Sequence, residues 1–153
     1  MKARVLVGLQ FGILGLLVFA KGPSLMEPNS WIEKISPVFY LIGGIIFFFA
    51  YIALRPSLRV SPIPREGAPL IMTGIYSWLR HPMYVSVLLF GAGLAFRNLS
   101  YLNIGLWFLL LIVLMIKGSY EDSLLALVHA DAPEYQRSTR GIFLSKKNEK
   151  RKR

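Results

Sequence analysis

Gly74-Ile75-Tyr76-Ser77-Trp78-Leu79-Arg80-His81-Pro82-Met83-Tyr84 is the stretch on which the reading of this chain turns. It gathers two basic side chains, three aromatic rings and a proline at the mouth of an apolar segment. A polar cluster between lipid-embedded helices is costly and marks a functional site by default. The first question is whether the surrounding runs are long and apolar enough to be such helices.

The totals favour a membrane protein. The 153 residues make one domain, 54% of them are hydrophobic, and the mean hydropathy is +0.51. Net charge is +10. The cations lie between apolar runs and at the chain ends, a pattern of membrane orientation and attraction to anionic headgroups rather than of nucleic-acid binding. There is no cysteine and there are only two histidines, His81 and His129. Disulfides, thiol catalysis and a multi-histidine metal centre are therefore not expected.

Downstream of the opening stretch, Pro82 suits the first turn of a helix, where its missing N–H has no partner to lose. That helix should run to about Phe96, and Arg97-Asn98-Leu99-Ser100 makes a tight turn into a fourth apolar run, Tyr101 to Ile116. From Lys117 the pattern becomes amphipathic, with Leu124, Leu125 and Val128 sharing a helical face with Glu121. Asp131-Ala132-Pro133 interrupts it.

Upstream, a basic start leads into Val5–Ala20 and a polar connector into Val38–Leu54. A basic start before an apolar run is also the pattern of a signal peptide. Lys21-Gly22-Pro23 offers no convincing cleavage site, so we read a first transmembrane helix. Gly8, Gly12 and Gly15 share a face, either to admit another helix closely or as ordinary glycine tolerated in lipid. Four prolines keep the Arg55–Arg80 gap from forming one long helix.

The expected fold is all-α: an integral membrane bundle of about four transmembrane helices, with a helical hairpin beside a C-terminal amphipathic cytoplasmic helix. Residues 1–145 form the single domain and 146–153 a basic, disordered tail. The N-terminus, the Arg55–Arg80 gap and the tail are basic, so the positive-inside rule places both termini and the Arg80 stretch in the cytoplasm. The hairpin then brings Arg80-His81 to the same side as Lys117, Glu121 and Asp122.

These two halves are chemically complementary. Arginine pairs with a carboxylate, carboxylates hold an ammonium or a sulfonium, and aromatic faces attract cations. S-adenosylmethionine carries all of those parts. Each piece also has a plainer reading. Arg80 snorkels at a helix start, Lys117 and Glu121 form a surface i, i+4 pair, and the rings belong to an interfacial belt. Together on one face they point to a site.

Gly74-x-Tyr76-x-x-x-Arg80-His81-Pro82-x-Tyr84 resembles the signature of the isoprenylcysteine carboxyl methyltransferase family, related to the phospholipid N-methyltransferases. Lys117, Glu121-Asp122, Leu124-Leu125 and Glu134-Tyr135 follow in matching order, with Lys117 where the family has Arg and Asp122 where it has a second Glu. The resemblance covers roughly residues 68 to 140. It implies a membrane enzyme binding S-adenosylmethionine through Tyr76, Arg80, His81, Pro82, Tyr84, Glu121 and Asp122, with Arg80, His81 and Glu121 closest to catalysis. The expected acceptor is a lipophilic small molecule or lipid-modified substrate. O-methyl transfer is favoured, N- and S-transfer remain open, and His81 and Glu121 are candidate bases for a protonated acceptor. Two other readings remain: an NADPH-dependent membrane reductase of the sterol reductase type, which carries a similar Arg-His-Pro-x-Tyr element, and a non-catalytic membrane scaffold.

Overall fold

The apolar runs become helices. A computed structural model describes residues 2–25, 31, 33–55 and 70–142. The basic tail and most of the Arg55–Arg80 gap lie outside the described residues. Five α-helices occur among the described residues, and no strand: α1 Lys2–Phe19, α2 Ser36–Leu54, α3 Pro82–Arg97, α4 Tyr101–Val128 and α5 Ala132–Ser138. Proline lies in the first turn of α2, α3 and α5. The Ser100 hydroxyl caps α4 by accepting from the Asn103 N–H at 3.2 Å, satisfying one of the donors a helix start leaves unpaired.

Of the four spanning helices expected, two, α2 and α4, are long and apolar enough among the described residues to cross a membrane; α1 and α3 are shorter apolar helices. At 1.5 Å per residue, the 16 residues of α3 cover about 24 Å, against a hydrocarbon core of about 30 Å. α4 errs the other way. Nothing in Lys117–Val128 breaks it, so the fourth apolar run and the amphipathic segment form one helix of 28 residues.

The core lies between α1, α3 and α4. Ile13 and Leu17 meet Leu88, Ala95, Leu110, Val113 and Leu114. α1 turns Ala3, Gln10, Ile13 and Leu17 inward, a stripe at helical spacing. Its glycines play no part in this: a Cβ at Gly8, Gly12 or Gly15 would meet nothing within 4 Å. Close approach occurs elsewhere. A Cβ at Gly43 of α2 would lie 3.2 Å from the Ser86 carbonyl oxygen, and one at Gly93 would lie 2.5 Å from the Tyr40 ring. The Ser36 hydroxyl also donates to the Gly93 carbonyl at 2.8 Å. Small residues thus seat α2 on α3, and its outer face leaves Leu41, Ile45, Phe48 and Phe49 exposed, as a lipid-facing surface would.

α3 and α4 form the expected hairpin. The start of α3 and the last third of α4 meet at one end of the molecule, where α5 and the segment after it also pack.

Candidate active site

The backbone before α3 aims the functional side chains. Gly74, at φ +60, occupies a left-handed conformation open to glycine at little cost. It starts the 3₁₀ turn Gly74–Ser77, which the Ser77 hydroxyl closes by donating to the Gly74 carbonyl at 2.7 Å. Tyr76 is thereby turned inward and buried, while Trp78 is left outside at 77% exposure. His81 precedes α3 but makes no side-chain cap to it. Its imidazole points instead across the hairpin to α4.

There it lies between two carboxylates. Nε2 is 3.0 Å from Asp122 Oδ1, and Nδ1 is 3.5 Å from Glu121 Oε2. Arg80 Nη1 is 3.5 Å from Asp122 Oδ2 and donates to the Gln136 carbonyl at 2.9 Å. The Tyr84 hydroxyl donates to Glu121 Oε2 at 2.7 Å, and its ring stacks on His81 at 5.2 Å between centroids. The acids fall on one turn of α4 and the partners on one turn of α3 or just before it. Gly118, one turn before Asp122, makes the room: a Cβ there would sit 3.3 Å from His81 Cδ2.

The electrostatics follow from this packing. Burial pulls the His81 imidazole toward neutrality, but hydrogen bonds and charge from Asp122 and Glu121 outweigh it and push its pKa up to about 9. At neutral pH His81 is an imidazolium, with its nitrogens directed at two carboxylates. The Tyr76 phenol is held well above its ordinary range by burial, reinforced by the Glu121 charge and by Tyr135. Burial pushes Tyr135 up to about 12, against the opposing charge of Arg80.

The structure thus brings together Tyr76, Arg80, His81, Tyr84, Glu121 and Asp122. Pro82 is fully buried in the first turn of α3. Lys117 departs from the surface-pair reading. It is 2% exposed, and its ammonium donates to Gln10 Oε1 of α1 at 2.7 Å and lies 4.8 Å from the Tyr84 ring centroid.

Other residues of the site escape the sequence reading. The Tyr135 hydroxyl donates to the Tyr76 carbonyl at 2.7 Å, and Gln136 Nε2 donates to the Asp122 carbonyl at 2.7 Å. Beyond α5, the Arg80 N–H donates to the Arg140 carbonyl at 2.8 Å, so residues 139–142 strap over the Arg80 backbone. Glu134-Tyr135 was the available signal for α5; for Gln10 it was a lone amide in an apolar run. Beside the cluster, Met72, Ser77, Asp131, Glu134, Tyr135, Ser138 and Thr139 line an open cleft of about 380 Å³. No expected site residue lines it; Tyr135, hydrogen-bonded to Tyr76, connects the two. Among the described residues, no group of three metal-ligating side chains exists.

The fold and cluster describe an all-helical, membrane-associated protein with a charged site at one end of a hairpin. Residues 37–132 match the family model described as phospholipid methyltransferase. That is more than half of the chain, and the chain belongs to this family of membrane methyltransferases. The matched region spans nearly all of α2 and the whole α3–α4 hairpin; it leaves out α1 and all but the first residue of α5. No curated protein and no solved structure matches the chain significantly.

Proposed function

We propose that the protein is an S-adenosylmethionine-dependent methyltransferase acting on a lipophilic acceptor at the cytoplasmic membrane face, with the Arg80–Asp122 cluster as its cofactor site. The observation that carries this reading is the convergence of Arg80, His81 and Tyr84 with Glu121 and Asp122 inside the family-matched hairpin.

The donor set fits the cofactor. Arg80 Nε is buried with no partner, so the guanidinium retains capacity for a carboxylate. Glu121 and Asp122 side chains keep 28% and 20% exposure and would hold an ammonium or the sulfonium. When bound, S-adenosylmethionine supplies a methyl group activated on sulfur.

The chain's own residues then orient and shield the acceptor, so positioning carries much of the catalysis. A carboxylate acceptor needs no base. For an amine, Glu121 is the better proton acceptor of the two expected candidates, because His81 is already protonated at neutral pH. O-transfer remains the favoured chemistry. The acceptor's tail would stay in the bilayer beside the apolar face of α2.

Two measurements test this. Calorimetric titration of the purified protein should show binding of S-adenosylmethionine, weakened at least tenfold in Arg80→Ala and Glu121→Ala. Binding of NADPH without S-adenosylmethionine would overturn the reading in favour of a reductase, and binding unaltered in both variants would favour a scaffold. Labelled methyl transfer into membrane extract should place label in a lipophilic fraction. Release of that label by mild base marks an ester; resistance marks an N- or S-methyl group.

A further inference from the structure

The cluster leans on a residue that lies outside both the family-matched region and the sequence motif. Among the described residues, Gln10 is the one buried polar side chain of α1, 6% exposed on the stripe of Ala3, Ile13 and Leu17 that packs into the core. Its Oε1 accepts from Lys117 Nζ at 2.7 Å. Lys117 in turn places its ammonium 4.8 Å from the Tyr84 ring, and Tyr84 hydrogen-bonds Glu121 and stacks on His81. A chain of contacts therefore runs from α1 through α4 and α3 to the site.

We propose that Gln10 is a positioning residue of this site, holding the Lys117 ammonium beside the Tyr84 ring and away from Glu121. The inference rests on the function proposed above. Stability alone does not account for the pair. A buried ammonium is costly, and well-packed apolar residues in its place are often neutral or stabilising. What the pair provides is a fixed location for a positive charge one helical turn from Glu121. Lys117 faces Gln10 from α1, Tyr84 from α3 and Glu121 on its own helix. Without the Gln10 oxygen, Glu121 is its remaining anionic partner. An ammonium drawn there competes with the Tyr84 hydroxyl and His81 for the same carboxylate. His81 meets Glu121, Asp122 and Tyr84, with Gly118 beside its ring. Its protonation therefore reports where the ammonium sits.

The full chain in detergent micelles provides the test, in a His129→Asn background that leaves His81 as the single imidazole. NMR titration of the parent should give a midpoint near 9. In Gln10→Leu the midpoint should fall by about one unit, S-adenosylmethionine affinity should fall about tenfold, and thermal stability at neutral pH should fall only by what that weaker proton binding accounts for. Gln10→Glu, which keeps an oxygen for Lys117, should restore midpoint and affinity. Gln10→Leu added to Lys117→Met should change nothing further, and this pair, free of buried charge, serves if the single variant does not fold. An unchanged His81 midpoint in Gln10→Leu, no rescue by Gln10→Glu, or a further loss in the double variant overturns the proposal. If the midpoint moves as described while the parent binds no S-adenosylmethionine, the positioning role stands and the proposed cofactor fails.

Discussion

His81 is the residue through which the site responds to pH. Its folded-state value of about 9 lies above the ordinary 6.5, so the folded chain binds this proton more tightly than the unfolded one. The resulting stabilisation is complete below about pH 6.5 and is lost as pH rises through about 9, roughly 3 kcal/mol in all. Thermal melting across pH 6 to 10 should trace that loss. Asp122→Asn should flatten the profile, because the imidazolium keeps only Glu121 as a charged partner, and should destabilise the parent by about 2 kcal/mol at neutral pH. Gly118→Ala tests the same contact from behind. Its Cβ would press on His81 and Ile142 at 3.3 Å, so a loss of about 1 kcal/mol should accompany weakened cofactor binding.

At the scale of elements, glycine decides where helices approach each other. The α2–α3 and α3–α4 contacts use Gly43, Gly91 and Gly93; a Cβ at Gly91 would come 2.8 Å from Leu110 Cδ2. Gly93→Ala should lower stability by about 1–3 kcal/mol through the Tyr40 ring. Gly15→Ala, with open space around it, should be neutral or stabilising by up to about 1 kcal/mol from helix propensity. Melting of the two variants side by side in one detergent distinguishes an α3 packed on α2 from an α1 packed through its glycine face.

For the whole molecule, we propose that α1 and α3 complete a four-pass topology despite their length, with tilt and local thinning of the bilayer absorbing the mismatch. The absence of cysteine makes this directly measurable. In sealed vesicles, a membrane-impermeant thiol reagent should label Ser123→Cys, beyond Lys117 on α4, from the cytoplasmic side. It should label Lys21→Cys, just past α1, from the other side. Labelling of both from the same side would overturn the four-pass arrangement.

The sequence by itself determined the helical class, the hairpin and the pairing of a cationic half with an anionic half. Those follow from apolar periodicity, from Pro82 and Ser100 at helix starts, and from charges collected at one end of two adjacent runs. The start of α3 at Pro82 and the turn before Tyr101 were legible because proline and short polar turns act locally. Only the tertiary structure decided which atoms meet. It joined the fourth run and the amphipathic segment into one helix, buried Lys117 against Gln10 rather than pairing it with Glu121, and brought Tyr135 and Gln136 of α5 to the site. These contacts bridge residues far apart in the chain, and no local pattern encodes them. Gln10 and Lys117 lie 107 positions apart; they meet because the Ala3–Leu17 stripe packs α1 against α4, which leaves a buried ammonium and a buried amide as each other's partner.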